Sequence, residues 1–510
     1  MTQNLSKTKR IAKNTIVLYI RMIVIMVITL YTSRIVLKAL GFEDYGLYNV
    51  VGGVVALMSF LKSSMSSSTQ RFLSYEMGLG NNENLKNIFS VCLTTHLLIA
   101  LILLVLAETI GLWFLNSQIN IPEGREVAAN WIYQFSVVSL CISIISVPYS
   151  ADIISHEEMG YFAFLSILDA LLKLGFSFAI MYVSFDKLVI YGFLMMLVPL
   201  INIILNWSYC HRRHKETHFS FYWDKSLFKK IFSFSGWTIW GQLAIVGSNQ
   251  GTNILVNIFH SVTANAAMGV GQQVNHAITG LISNFQTAFK PQITKSYASG
   301  DYKYLNTLTN YAAKISFYLF FIVSLPILLN IDAVLELWLD KVPTFANAFC
   351  VIFIIASAFN AMSAPLYMNV FSTGRIRGYQ IAMSVAFIIE LMVVYLIFKL
   401  GYSVVAGVAV KAVLNFLVVF IRMYYAHKEV ESFSGRDYLK KVFFPLMLSM
   451  IVTLSVAIPL MRIAHGVWQK LFVTVIVIIV SITSALFIGL AKNERFSLKN
   501  IVKKHFKLKR

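Results

Sequence analysis

The sequence predicts an all-α polytopic membrane protein with about 14 transmembrane helices, arranged as two six-helix lobes followed by a C-terminal helix pair. Composition is the first observation behind this reading. Of 510 residues, 57% are hydrophobic and only 13% charged, whereas soluble domains carry roughly a quarter charged residues. A soluble chain of this size would have to present a polar surface to water. The second observation is a series of apolar runs of roughly 20 residues, the length a helix needs to cross the hydrocarbon layer. The third is the placement of Lys and Arg between those runs.

The first run, from about Thr15 to Lys38, follows "KTKRIAKN". It exceeds the roughly 7–15-residue core of a secretory signal and lacks a small-residue cleavage site, so it reads as an uncleaved span. The polar knot "GFEDYG" comes next, where Gly41 and Gly46 permit a tight reversal and Glu43 and Asp44 meet water. Counting that first run as 14–38, the remaining segments are 47–70, 87–115, 128–152, 160–183, 187–210, 232–258, 264–289, 305–329, 345–371, 377–399, 403–425, 440–461 and 468–491.

With both termini placed inside, roughly 30 Lys and Arg fall in inside segments and only eight outside: Arg34, Lys38, Arg125, Lys187, Lys341, Lys399, Arg462 and Lys470. This is the asymmetry of the positive-inside rule. The net charge of +20 is therefore mostly topology and not a nucleic-acid footprint. The longest polar connection, His211–Ser226, follows span 6. It divides the chain into an N-lobe (1–210), a cytoplasmic linker (211–231), a C-lobe (232–430) and an appended helix pair with a basic cytoplasmic tail (431–510). "RFLSYEMGLGNNENLKN" after span 2 and "PQITKSYASGDYKYLNT" after span 8 occupy equivalent places, as expected of two related halves.

Ionisable groups within spans are costly and face protein or water. Asp169 and Lys173 stand one helical turn apart and can neutralise each other. Glu108 lies near the outer end of span 3, Lys314 near enough to the inner end of span 9 to snorkel, and Glu390 and Lys411 on neighbouring spans that allow pairing. Arg21 and Lys62 have no carboxylate close in sequence, so they point to a cavity for an anionic group. The run "SSMSSSTQ" makes half of span 2 polar. Span 7 carries Gln242, Ser248, Asn249, Gln250 and Asn253, and span 8 carries Gln272, Gln273, Asn275 and His276. Spans 1, 2, 7 and 8 are thus the expected cavity wall, with Gln242, Asn249, Gln272, Gln273 and Asn275 as its amide lining. Cys92, Cys141, Cys210 and Cys350 lie far apart and read as packing residues. Short outer connections and the lack of a nucleophile–base spacing argue against an enzyme, and no metal or cofactor motif is present.

The segment "RIAKNTIVLYIRMIVIMVITLYTSRIVLKALGFEDYGLYNVVGGVVALMSFL" resembles the N-terminus of the polysaccharide exporter and O-antigen flippase (Wzx-type) family, part of the multidrug/oligosaccharidyl-lipid/polysaccharide (MOP) exporter superfamily. The matching features are the opening "NT", Ser33-Arg34, Leu40-Gly41, the segment Asp44 to Tyr48, and "SSSTQRFLSYEMG". The resemblance implies two MATE-like six-helix lobes that alternate access. They would carry polyprenyl-pyrophosphate-linked oligosaccharide from the cytoplasmic to the outer leaflet of a bacterial inner membrane, driven by an ion gradient. Arg21 and Lys62 would hold the pyrophosphate, with Arg34 and Arg71 as further cations and Asp169 or Glu390 as possible H+ or Na+ sites. Membrane lipids and a glycan polymerase are the other implied partners. A peptidoglycan-precursor flippase and a multidrug exporter share the fold. The multidrug exporter would need open carboxylates, and both acidic candidates here have nearby basic partners.

Overall fold

A computed structural model describes residues 2–56, 59–119, 121–220, 222, 224–339, 341–464, 466–491 and 494–495. The basic tail from 496 onward and the basic side chains before Asn14 lie outside the described residues. Every regular element among the described residues is helical. The chain separates into two compact units, Arg10–Gln242 and one made of Leu243–Arg510 with the N-terminal Met1–Lys9. The boundary falls inside a helix, past the expected linker.

The first unit opens within α1 (Thr2–Ala56), at Arg10, and α1 changes direction at Gly41, where φ is 80° and ψ is 176°. A Cβ at Gly41 would meet nothing within 4 Å, so glycine is required there for its backbone and not for space. Gly46, expected to share the turn, stays helical. Next come α2 (Ser59–Leu79), α3 (Asn82–Leu106), α4 (Leu112–Gln118), α5 (Glu126–Ile145), α6 (Val147–Ser155), α7 (Met159–Ala179) and α8 (Lys187–Arg213). A π-helical turn, Ala107–Gly111, joins α3 to α4 and holds Glu108. Tyr133 donates to the Ala107 carbonyl at 2.8 Å, and a Cβ on Gly111 would collide with the Tyr133 hydroxyl. Glu108 accepts from Gln134 at 3.0 Å.

Helix α1 tracks α7 and the start of α8. Asn14 donates to the Glu157 carbonyl at 3.1 Å, Tyr31 meets Phe178 at 6.1 Å, and Tyr48 meets Tyr191 at 4.8 Å. The numbers rise together, so α1 and α7 run parallel, as two odd-numbered spans must. Near Gly41, Arg125 clasps two acids. Its Nε donates to Asp44 at 2.9 Å and its Nη1 to Asp186 at 2.6 Å. Asp186 also caps α8 by accepting from the Leu188 amide at 3.0 Å. The hydrogen bond to Asp44 raises the Arg125 pKa, burial opposes that rise, and Asp186 adds to it. Asp44 of the knot therefore does more than meet water, whereas Glu43 is exposed.

Helix α9 (Lys225–Phe259) crosses the boundary between units. The second unit continues with α10 (Val262–Ala298), α11 (Tyr302–Leu329), α12 (Ile331–Trp338), α13 (Ala346–Thr373), α14 (Arg377–Lys399) and α15 (Val404–Glu429). Its core gathers Phe349 and Phe353 of α13 with Met268 of α10 and Val408 of α15. The appended pair follows: α16 (Gly435–Tyr438) continues through a π-helical turn into α17 (Phe444–Ile463) as one member, and α18 (Val467–Ser484) is the other. Asn330 donates to Thr474 of α18 at 2.9 Å. Lys314, expected to snorkel, is instead buried and pairs with Glu494 at 2.8 Å. Glu494 follows the last span, so sequence distance hid the partner.

Each of the fourteen predicted segments contains helix among its described residues, and eleven helices among the described residues are long and apolar enough to cross a membrane. The segments outside that set are 47–70, 232–258 and 264–289. These include the serine-rich and amide-rich helices singled out as polar.

Candidate functional site

In the first unit, α7 presents polar groups along one stripe. Asp169 lies seven residues, two turns, beyond Phe162 and so on the same face. The Arg21 guanidinium of α1 sits 4.7 Å from the centre of the Phe162 ring, a cation–π placement. Asp169 pairs with Lys173 at 2.7 Å and accepts from Asn202 of α8 at 2.8 Å. Lys62 of α2 is exposed and lies within electrostatic reach of Asp169 and Lys173. The two cations thus relate to positions about two turns apart on a single helix. Lys62, which has no carboxylate close in sequence, has one close in space.

The other cations differ. Arg34 is exposed on α1. Arg71 is buried, with ring centres of Phe72, Tyr75 and Phe234 at 4.9, 4.6 and 5.7 Å. Its setting is the packing around the polar half of α2, where Ser235 also donates to Ser68 at 2.8 Å. Gln242 is half-buried on α9.

In the second unit, Glu390 and Lys411 do not form the expected direct pair. Both are held by consecutive residues of α9: Ser248 donates to Glu390 at 2.6 Å, and Lys411 donates to Asn249. The electrostatic influence of Glu390 still reaches Lys411. The reason is geometric, because α9 supplies two polar side chains between α14 and α15. Glu390 is buried, so a hydroxyl donor there is worth more than it would be at the surface.

The amides form a chain of their own. Asn253 donates to Gln250 at 2.8 Å, and Gln272 of α10 donates to Asn253 at 3.5 Å. Gln273 is exposed and Asn275 half-buried one turn from a cavity. That cavity, about 270 Å³, is lined by His276, Thr279, Ser283, Gln286, Ser357 and Asn360 with smaller and apolar residues. Behind it, Arg422 of α15 donates to Asn360 at 2.8 Å and to Ser363 at 2.9 Å. None of the five amides expected to line a cavity lines this one; of the span 8 polar residues named from sequence only His276 does, and Ser357, Asn360 and Arg422 were not anticipated. An arginine inside the apolar stretch "LNFLVVFIRMYY" was the available signal. The arrangement offers cations and neutral hydrogen-bonding groups, with its in-span carboxylates already engaged.

The family model described as "Polysaccharide biosynthesis protein" matches residues 11–297. No curated protein matches the chain in sequence. Among solved structures, a MATE crystal structure in the straight conformation is 15% identical with a TM-score of 0.68, covering 83% of this chain and 97% of that one. An outward-facing multidrug resistance MATE family transporter of the MOP superfamily is also 15% identical, at TM-score 0.68, covering 84% and 96%. A MOP superfamily transporter from Pyrococcus furiosus, described as having a binding pocket of reversed polarity, gives the same identity, score and coverage. The MATE-like fold predicted from sequence is therefore the observed one.

Proposed function

We propose that this chain, which belongs to the polysaccharide biosynthesis protein family, is a flippase for polyprenyl-pyrophosphate-linked oligosaccharide. A role in membrane transport follows from family and fold. The finer assignment rests on one observation. Arg21 and Lys62 address one face of α7, whereas the in-span acids Asp169 and Glu390 are occupied by Lys173, Asn202 and Ser248. This balance supports an anionic substrate over an organic cation. A pyrophosphate suits cations, and glycan hydroxyls suit the amides and hydroxyls of α9, α10 and α13.

In this reading the two units alternate access, the lipid tail stays in the bilayer, and the chain sits in a bacterial cytoplasmic membrane with both termini inside. Asp169 and Glu390 are the candidate H+ or Na+ sites, each releasing a partner when the ion binds. Arg34 gives a secondary cation. Enclosure of Arg71 by rings suits a packing role better than a substrate contact. A glycan polymerase would take the product at the outer face.

Depletion of the protein tests the assignment. Lipid-linked oligosaccharide should then accumulate on the inner leaflet. Accumulation of a peptidoglycan precursor in its place would favour the second anionic substrate, and loss of drug resistance alone would favour cation efflux.

A further inference from the structure

A separate cluster lies where α6 and α8 end. Asp152 and His156 stand four residues apart at the end of α6, and Cys210 and His214 stand four apart at the end of α8. Residues spaced in this way share a helix face, so two helix ends each direct two metal-ligating side chains into one place. Asp152 and Cys210 are fully buried and His214 nearly so. The donor atoms of Asp152, Cys210 and His214 all lie within 4.8 Å of one another. Cys210 and Asp152 are held on their own helices, and the Cys210 thiol points toward the Tyr149 carbonyl at 3.6 Å.

We propose that Asp152, Cys210 and His214 form a binding site for a thiophilic divalent metal ion, Zn2+ by the chemistry of its donors. A thiolate, an imidazole and a carboxylate are the three ligand types Zn2+ takes, and three protein ligands leave a fourth position for water. Nδ1 of His214 lies 2.5 Å from Asp152, while its Nε2 lies 3.4 Å from the Glu158 carboxylate. Nδ1 shares a proton with Asp152 as the site stands, so a bound ion would take the place of that proton, and the Glu158 carboxylate facing Nε2 would favour the tautomer that carries its proton there. The His156 ring stacks on His214, with centres 3.8 Å apart and planes 10° apart, and its Nε2 meets Glu216 at 3.1 Å. This packing holds the His214 ring in place.

The cysteines carry no metal spacing among themselves, so the site is legible only when Cys210 is read with His214 and Asp152. A bound ion would tie α6 to α8 and to the start of the segment that follows, where Thr217 donates to the His214 carbonyl at 2.8 Å.

The test uses the full-length, untagged protein in detergent, stripped with a chelator and titrated with Co2+. One equivalent should bind with a thiolate-to-cobalt charge-transfer band, and Zn2+ should displace it. Cys210→Ser should lose the band, Asp152→Asn should weaken binding more than about 10-fold, and Cys92→Ser should leave both unchanged. Absence of the band in the wild-type protein, or its persistence in Cys210→Ser, would overturn the proposal and leave a plain buried carboxylate–imidazole pair.

Discussion

The Ser248 hydroxyl donates a 2.6 Å hydrogen bond to the buried Glu390 carboxylate, so the acid is held by α9 and not by its expected lysine. Ser248→Ala would leave a buried carboxylate short of a donor. We expect destabilisation of about 1–3 kcal/mol, read as a lower Tm in detergent. Glu390→Gln in the same background should recover part of the loss, because a neutral amide costs less to bury.

Arg125 joins Asp44 and Asp186 through one planar guanidinium. Arg125→Lys should not restore what Arg125→Ala loses, because a single ammonium cannot satisfy two carboxylates bound to different nitrogens. The three side chains are 28%, 23% and 37% exposed, so screening limits the effect to about 1 kcal/mol. Thermal unfolding in low and high salt checks this: the difference between wild type and Arg125→Ala should shrink as salt rises.

Lys314 and Glu494 form a pair in which the lysine is buried. Glu494→Gln should lower Tm by leaving that ammonium poorly compensated. The double variant Lys314→Met with Glu494→Gln should be more stable than the single Glu494 change, because removing both charges avoids the stranded one. A double-mutant cycle on Tm measures the coupling.

Local patterns were legible in the sequence, and long-range partnerships were not. Span positions follow from apolar runs, and the Asp169–Lys173 pair follows from helical spacing. Glu390 and Lys411 are on neighbouring spans, but nothing in their spacing shows that Ser248 and Asn249 intervene. Lys314 finds Glu494 across 180 positions, and Arg125 finds Asp44 across 81. Both partners lie in connections that carry no periodic signal. The candidate substrate site divides in the same way. Arg21 and Lys62 stand out as cations in apolar sequence, whereas the α7 face they share and the Arg422 backing of the α10–α13 cavity emerge only from packing.

The most direct test of the central claim measures translocation of a fluorescent polyprenyl-pyrophosphate-linked oligosaccharide in proteoliposomes, comparing the wild type with the double variant Arg21→Ala and Lys62→Ala. Loss of both cations should slow translocation by at least about 30-fold, the equivalent of about 2 kcal/mol for a charged group left unpaired, while membrane insertion stays normal. An unchanged rate in a correctly inserted double variant would contradict the account.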